Sequence, residues 1–167
     1  IRFGRTDGVD TAKGFFPAAG ERAGDIWLGN GDHGDAATYG PNTYEMATMI
    51  HEIGHAIGLK HPHDDLPQNH TVSPPSEDWL GKSIMSYRSH PNDAVVGGYS
   101  NGFYPLVPML NDVAAIQYLY GMNTSYHSGD DIYSWAPGKQ LFETIWDTGG
   151  TDTIDWSNQV TDATICL

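Results

Sequence analysis

The sequence predicts an α+β fold: a twisted sheet with one helix carrying the chemistry and a second closing the domain, followed by a smaller β region. Three observations lead there. Short segments of strand-like composition, bounded by Gly, Asp and Pro, fill the first thirty residues. Apolar residues at helical spacing then run from Met46 to Ile57 and enclose the string His51-Glu52-Ile53-Gly54-His55. After Met122 the texture changes to Asp-Gly turns between short strand-like runs. Twenty glycines and ten prolines among 167 residues favour turns and loops over a helical bundle. The domain division expected is therefore 1–121 and 122–167.

Ile1 to Gly4 alternates apolar and polar and reads as a strand, and the Asp-Gly of Thr6 to Asp10 reads as a turn. Thr11 to Phe16 is the next strand, stopped by Pro17, and Gly24 to Leu28 is another. Asp32-His33-Gly34-Asp35 is expected as a solvated loop. The long helix is expected to begin at Asn42 as N-cap, with Glu45 as its capping-box partner. Its stripe of Met46, Met49, Ile50, Ile53, Ala56 and Ile57 is expected to pack on the sheet, with both methionines in the core.

In that helix His51 and His55 stand four residues apart and share one face, so both imidazoles can reach one metal ion. Glu52 lies about 100° further round, beside the metal. Gly58 ends the helix, since glycine accepts the left-handed conformation of a sharp stop. The turn brings His61 in as a third nitrogen. Three protein ligands on tetrahedral zinc leave one position for water, whose pKa falls to about 7, and Glu52 is placed to take its proton.

Residues 62–82 read as loop, with Pro62, Pro67, Pro74 and Pro75. His63, His70, Asp64, Asp65, Glu77 and Asp78 are expected to be exposed there, with His63 a candidate for touching substrate. Residues 92–104 read as a glycine-rich loop. Pro108 to Tyr120 reads as an amphipathic helix with Gly121 as its cap, and Val113, Ile116, Tyr118, Leu119 and Tyr120 as its apolar surface. Strands are expected at 132–135, 142–146 and 153–156.

The eleven-residue string His-Glu-x-x-His-x-x-Gly-x-x-His, followed by Ser83-Ile84-Met85-Ser86-Tyr87, resembles the metzincin metalloproteases, whose zinc helix precedes a methionine-containing turn. Pro62 after His61, the wording of the turn and the run from Pro108 to Gly121 narrow the resemblance to the serralysins, secreted bacterial zinc endopeptidases with a calcium-binding β-roll. The resemblance implies that Met85 forms a soft floor under the zinc and that Tyr87 donates a hydrogen bond to the tetrahedral intermediate. It implies that Ala12, Lys13, Gly14 and Phe15 form an edge strand pairing with an extended substrate. It implies a structural calcium ion held by the carbonyls of His127 and Gly129, the Asp131 side chain, Asp147, Gly149 or Gly150, and Asp152. Asp131 stands where serralysins usually have threonine. Cys166 replaces an expected polar residue, and nothing in the sequence accounts for it. By the same resemblance the chain is a piece of a longer protein, lacking the family's N-terminal helix and first two strands and stopping where the β-roll begins. The resemblance further implies a monomer exported by type I secretion to the extracellular space, acting on protein or peptide, with a proteinaceous inhibitor as a second partner.

Eight Lys and Arg stand against 21 Asp and Glu, a formal charge of −13. Phosphates repel such a chain, so nucleic acid and anionic membrane are poor partners. No run of about 18 apolar residues offers a membrane span. One cysteine permits no intrachain disulfide, so packing and metals must hold the fold. The function expected is a zinc-dependent endopeptidase; the alternative is a catalytically silent metzincin-like module, or a calcium-dependent binding module, of a larger secreted protein.

Overall fold

Strand β3 (Asp25–Gly29) is buried along almost its whole length, and two other strands use it as their common partner. β1 (Arg2–Thr6) runs parallel to it, with Phe3 opposite Ile26. β2 (Ala12–Gly14) runs antiparallel on the other side, with Lys13 opposite Trp27. The order β1-β3-β2 leaves β2 on an edge. Asp25 is tolerated in the buried strand because Arg2 grips it through two nitrogens, at 2.7 and 3.0 Å. The computed structural model describes residues 1–31, 33, 35–91, 104–139 and 141–165. Asp32, Gly34, the glycine-rich stretch 92–103 and Cys166 lie outside the described residues.

Helix α1 (Tyr44–Ala56) packs on β2 and β3. Its N-cap is Thr43 and not Asn42. Thr43 is extended and its hydroxyl accepts the Met46 N–H at 3.2 Å, whereas Asn42 has φ 62, outside the extended geometry a cap requires. One side of the helix closes on the sheet, where Ile26, Leu28 and Ala56 form a core with Ile53 against them. On the other side Ala47 of the helix packs with Leu59, Ile84 and Met85, joined by Ile50 and Ile57. The expected single stripe is thus divided between two cores. Met46 and Met49 are half-buried and belong to neither. Each fully buried side chain such as Ile26 or Ile84 contributes about 1.5–3 kcal/mol.

The helix stops as Gly58 predicts. Gly58 has φ 105, its N–H reaches the His55 carbonyl at 3.0 Å, and the Leu59 N–H reaches the Gly54 carbonyl at 2.9 Å. This pair of bonds is a Schellman cap.

Helix α2 (Leu110–Tyr120) begins two residues later than its pattern suggests and ends at Gly121. Ile116 joins the second core, but Tyr118, Leu119 and Tyr120 are exposed, so only part of the expected apolar surface is used. The helix is anchored instead by a buried acid, Asp112.

The chain divides into two compact units, residues 1–121 with 142–144, and residues 122–141 with 145–165. In the second, β4 (Ile132–Ser134) pairs in parallel with β5 (Thr153–Asp155). The strand expected at 142–146 does not form. Phe142 to Thr144 belong to the first unit, where the Phe142 carbonyl accepts the Leu106 N–H at 3.0 Å. Among the described residues no helix is long and apolar enough to cross a membrane.

Candidate metal centre

The three histidines converge. The Nε2 atom of His61 lies 3.1 Å from that of His51 and 3.0 Å from that of His55. Helix α1 presents His51 and His55 one turn apart, and the cap at Gly58 returns the chain so that His61 faces them. His51 and His55 are buried and His61 is half-buried.

Each ring is aimed by its other nitrogen. Nδ1 of His51 meets the Ile84 carbonyl, Nδ1 of His55 meets the Leu59 carbonyl, and Nδ1 of His61 meets Asp64 Oδ2, each at 2.8 Å. A carbonyl or carboxylate only accepts, so each Nδ1 carries the proton and each Nε2 presents a lone pair. Three lone pairs therefore face one another, an arrangement that repels until a cation lies among them. Tetrahedral zinc spaces such nitrogens by roughly 3.3 Å, a few tenths of an ångström more than here. Neutral nitrogen donors also suit zinc better than calcium or magnesium. The residues fit the ion.

Electrostatics keep the ligands ready. Burial, then the neighbouring His55, pushes the His51 imidazole down to about 3. Burial, then His61, pushes His55 down to about 4. His61 is lowered by burial against the opposing pull of Asp64. Neutral rings bind metal without first losing a proton.

Glu52 sits beside this centre, 7% exposed. Burial pushes its carboxyl up to about 7, opposed by the Gly14 N–H and by Lys13. That N–H, from the edge strand, donates to Glu52 Oε2. In β2, Lys13 pairs with Trp27, and Phe15 continues the ladder through its N–H to the Asp25 carbonyl at 2.9 Å. The backbone groups of Ala12 and Gly14 therefore project away from β3. The four residues expected at the substrate edge thus lie along β2 and its continuation, next to Glu52.

Tyr87 lies over the triad. Its ring centroid is 4.4 Å from that of His61 and 5.5 Å from that of His51, nearly parallel to the latter. Burial, then Glu52 and Asp64, raises its phenol above the ordinary range, so it remains a donor. Met85 is 1% exposed and presses on Gly54, where a side chain would collide with its sulfur.

Three acids carry the site, two of which, Asp64 and Asp78, the sequence reads as exposed. Asp64 orients His61. Asp78, 1% exposed, accepts from Ser86 Oγ at 2.6 Å, Arg88 Nε at 2.8 Å and His63 Nδ1 at 3.1 Å. His63 stacks on His61, with centroids 5.3 Å apart. Asp112, 2% exposed, accepts from Ser83 Oγ at 2.6 Å, Ile84 N–H at 2.7 Å and Met109 N–H at 2.8 Å. Ile84 in turn holds His51, so Asp112 supports the metal centre through one residue. His33, expected in a solvated loop, is fully buried with Nδ1 3.0 Å from the Tyr39 hydroxyl. The signal for Asp64 was its place three residues after a ligand; for Asp78 there was none. His70 and Asp65 are exposed as expected and pair with each other.

In the second unit the side chains of His127, Asp131 and Asp147 come together, with ligand atoms within 4.8 Å of one another. The flanking turns are cross-linked: Asp152 Oδ1 accepts the Asp131 N–H at 3.0 Å, and the His127 carbonyl accepts the Thr148 N–H at 3.2 Å. The Tyr133 phenol donates to Asp147 at 2.6 Å and holds that carboxyl below its usual range. Gly149 bonds back to Asp147, and Gly150 lies so close to the Gly129 carbonyl that a side chain there would overlap it.

Three neutral imidazoles, a buried carboxylate at their side and a sheet edge alongside define a zinc metallopeptidase type of centre. The comparisons with known proteins agree. The family model Reprolysin_5, metallopeptidase family M12, matches residues 9–95. Serralysin C of Dickeya chrysanthemi is 38% identical over 176 residues, covering 92% of this chain. Serralysin of Proteus mirabilis is 34% identical over 161 residues, covering 87%. Serralysin G of Dickeya chrysanthemi is 34% identical over 180 residues, covering 98%. The chain belongs to the M12 metallopeptidases and is of the serralysin type. It spans only 35%, 32% and 37% of the length of these three relatives.

Proposed function

We propose that this chain is the catalytic part of a secreted zinc endopeptidase that cleaves extended protein or peptide substrates. The convergence of three bare imidazole nitrogens beside Glu52, with Glu52 joined to the edge strand, is the observation that carries the reading. His51, His55 and His61 hold the ion. When bound, zinc supplies Lewis-acid activation of water and of the scissile carbonyl. Ala12 to Phe15 pair with the substrate backbone and set its direction past Glu52. Glu52 takes the proton as the water oxygen attacks the carbonyl carbon, and returns it to the amine as the C–N bond breaks. The Tyr87 phenol donates a hydrogen bond to the oxyanion. Met85 excludes water beneath the imidazoles.

The same reading gives the second unit a structural role. A calcium ion is held by the Asp131, Asp147 and Asp152 carboxylates with carbonyls of His127, Gly129 and Gly149 or Gly150, a hard-oxygen set that suits it. The reading extends to a monomer released outside a bacterial cell by type I secretion, and to control by a proteinaceous inhibitor occupying the same edge.

Hydrolysis of casein tests the main claim, measured before and after chelation with o-phenanthroline and again after zinc is restored. Cleavage that stops and returns with zinc supports it. A folded, zinc-loaded chain that cleaves nothing would overturn it. Calcium is tested separately by titration calorimetry: a calcium heat lost in Asp147→Ala supports the site, and an unchanged heat removes it.

A further inference from the structure

Side chains alternate along β2 and its continuation, so Ala12, Gly14 and Phe16 share one face and Lys13 and Phe15 the other. Helix α1 lies against the first face, where a β-carbon on Gly14 would meet the Glu52 carbonyl and the His55 β-carbon. Phe16, two residues on, stands edge-on to the imidazole of His55, with ring centroids 5.3 Å apart. It is 41% exposed, so much of its ring faces water. Phe15 is not its equivalent. The Lys13 ammonium and the Arg22 guanidinium lie 5.4 and 5.0 Å from the Phe15 centroid and occupy that ring on the opposite face.

The Phe16 ring has a fixed seat. The Phe15 N–H donates to the Asp25 carbonyl at 2.9 Å and the Phe15 carbonyl accepts the Gly24 N–H at 3.1 Å, which ties the chain to its neighbours just before Phe16. Pro17 follows with its φ locked and lies beside the helix stop, where a β-carbon on Gly58 would stand 3.9 Å from Pro17 Cγ. A lone exposed apolar side chain is ordinary. One held against a metal-binding imidazole, at a free sheet edge, is presented to whatever pairs with that edge.

Pairing geometry says which part of a partner meets it. The Gly14 N–H donates to Glu52, so the bond to be cleaved passes over Gly14. An antiparallel partner forms the stronger ladder. Directly opposed residues project on the same face. The substrate residue opposite Phe16 therefore lies two places before the one opposite Gly14, and its side chain points to the Phe16 ring.

We propose that Phe16 is a specificity-determining residue whose ring forms an apolar subsite for the third substrate residue before the cleaved bond, selecting aliphatic or aromatic side chains there over polar ones. This rests on the peptidase reading, with β2 as the substrate edge.

The test begins with a digest of unfolded casein by the zinc-loaded chain, its cleavage sites mapped by mass spectrometry. One cleaved sequence is then made as two internally quenched peptides, with Leu or Ser at the third position before the cleaved bond. The parent should favour the Leu peptide by about tenfold in kcat/KM. Phe16→Ser should reduce that preference to within about twofold, and Phe16→Leu should keep most of it. The same Leu preference in Phe16→Ser, or no preference in the parent, would overturn the proposal. A second measurement needs no change at Phe16. In the zinc-loaded Glu52→Gln variant, the Leu peptide should bind about tenfold tighter than the Ser peptide and shift the Phe16 ring resonances in NMR. Equal affinities, or an unmoved ring, would refute the subsite. If the parent cleaves nothing, the peptidase reading fails. The same binding measurement with alanine-based peptides carrying one Leu or one Ser then still decides the role of Phe16.

Discussion

The Glu52 carboxylate of helix α1 accepts the backbone N–H of Gly14 on the edge strand β2. Two elements 38 residues apart in sequence are joined at the point where a base and a substrate strand would have to meet. A β-carbon at position 14 would collide with the Glu52 carbonyl and stand 2.9 Å from the His55 β-carbon. Gly14→Ala should therefore push β2 away from α1 and cost roughly 1–3 kcal/mol. Urea unfolding of the zinc-free chain measures this, and a variant as stable as the parent would show that the close approach is unimportant.

Glu52→Gln keeps an oxygen for the Gly14 N–H but loses the base. Zinc content, measured by atomic absorption, should stay near that of the parent. Cleavage of casein should fall by about 10²–10⁴-fold. Retained cleavage would remove Glu52 from the mechanism.

Asp64 holds the His61 ring through Nδ1 at 2.8 Å. Asp64→Ala frees the ring to rotate and weakens the basicity of Nε2. Zinc affinity, measured by competition with a chromophoric chelator, should fall by about 10–100-fold. An unchanged affinity would mean that Leu59, Ile84 and packing suffice to aim the triad.

Asp112 satisfies two buried backbone N–H groups and the Ser83 hydroxyl. Asp112→Ala leaves all three without an acceptor. The expected loss is roughly 2–4 kcal/mol of stability, with weaker zinc binding following from the displaced Ile84 carbonyl. Thermal unfolding with and without zinc separates the two effects.

The histidine cluster was legible because its relation is local. Two histidines one helical turn apart and a glycine stop are written within eleven residues, and backbone geometry alone brings His61 round. The edge position of β2 was legible as well, by resemblance, and the sheet order agrees. The acids were not. Asp64, Asp78 and Asp112 look like solvated loop and helix residues, since a sequence does not say which carboxylates are buried. Asp78 lies among prolines in a polar loop and is nonetheless 1% exposed. The helix start was misplaced by one residue because Asn42 and Thr43 are both good caps, and the left-handed φ of Asn42 chose between them. Tyr118 and Tyr120 carry the composition of a core face but are exposed, while α2 packs through Ala115 and Ile116 and is held by the buried Asp112.

By itself the sequence determined which atoms can bind the metal, which carboxylate lies next to them, and that helix α1 must end at Gly58. Those properties follow from spacing along one helix and from the freedom of one glycine. Only the tertiary structure decided where the lone pairs point, since the Ile84 carbonyl that fixes His51 arrives from 33 residues away. It alone decided that Gly14 meets Glu52 and that Asp78 bonds Ser86 and Arg88 on either side of Tyr87. Such contacts depend on how distant segments pack, and burial then gives each charge and hydrogen bond its strength.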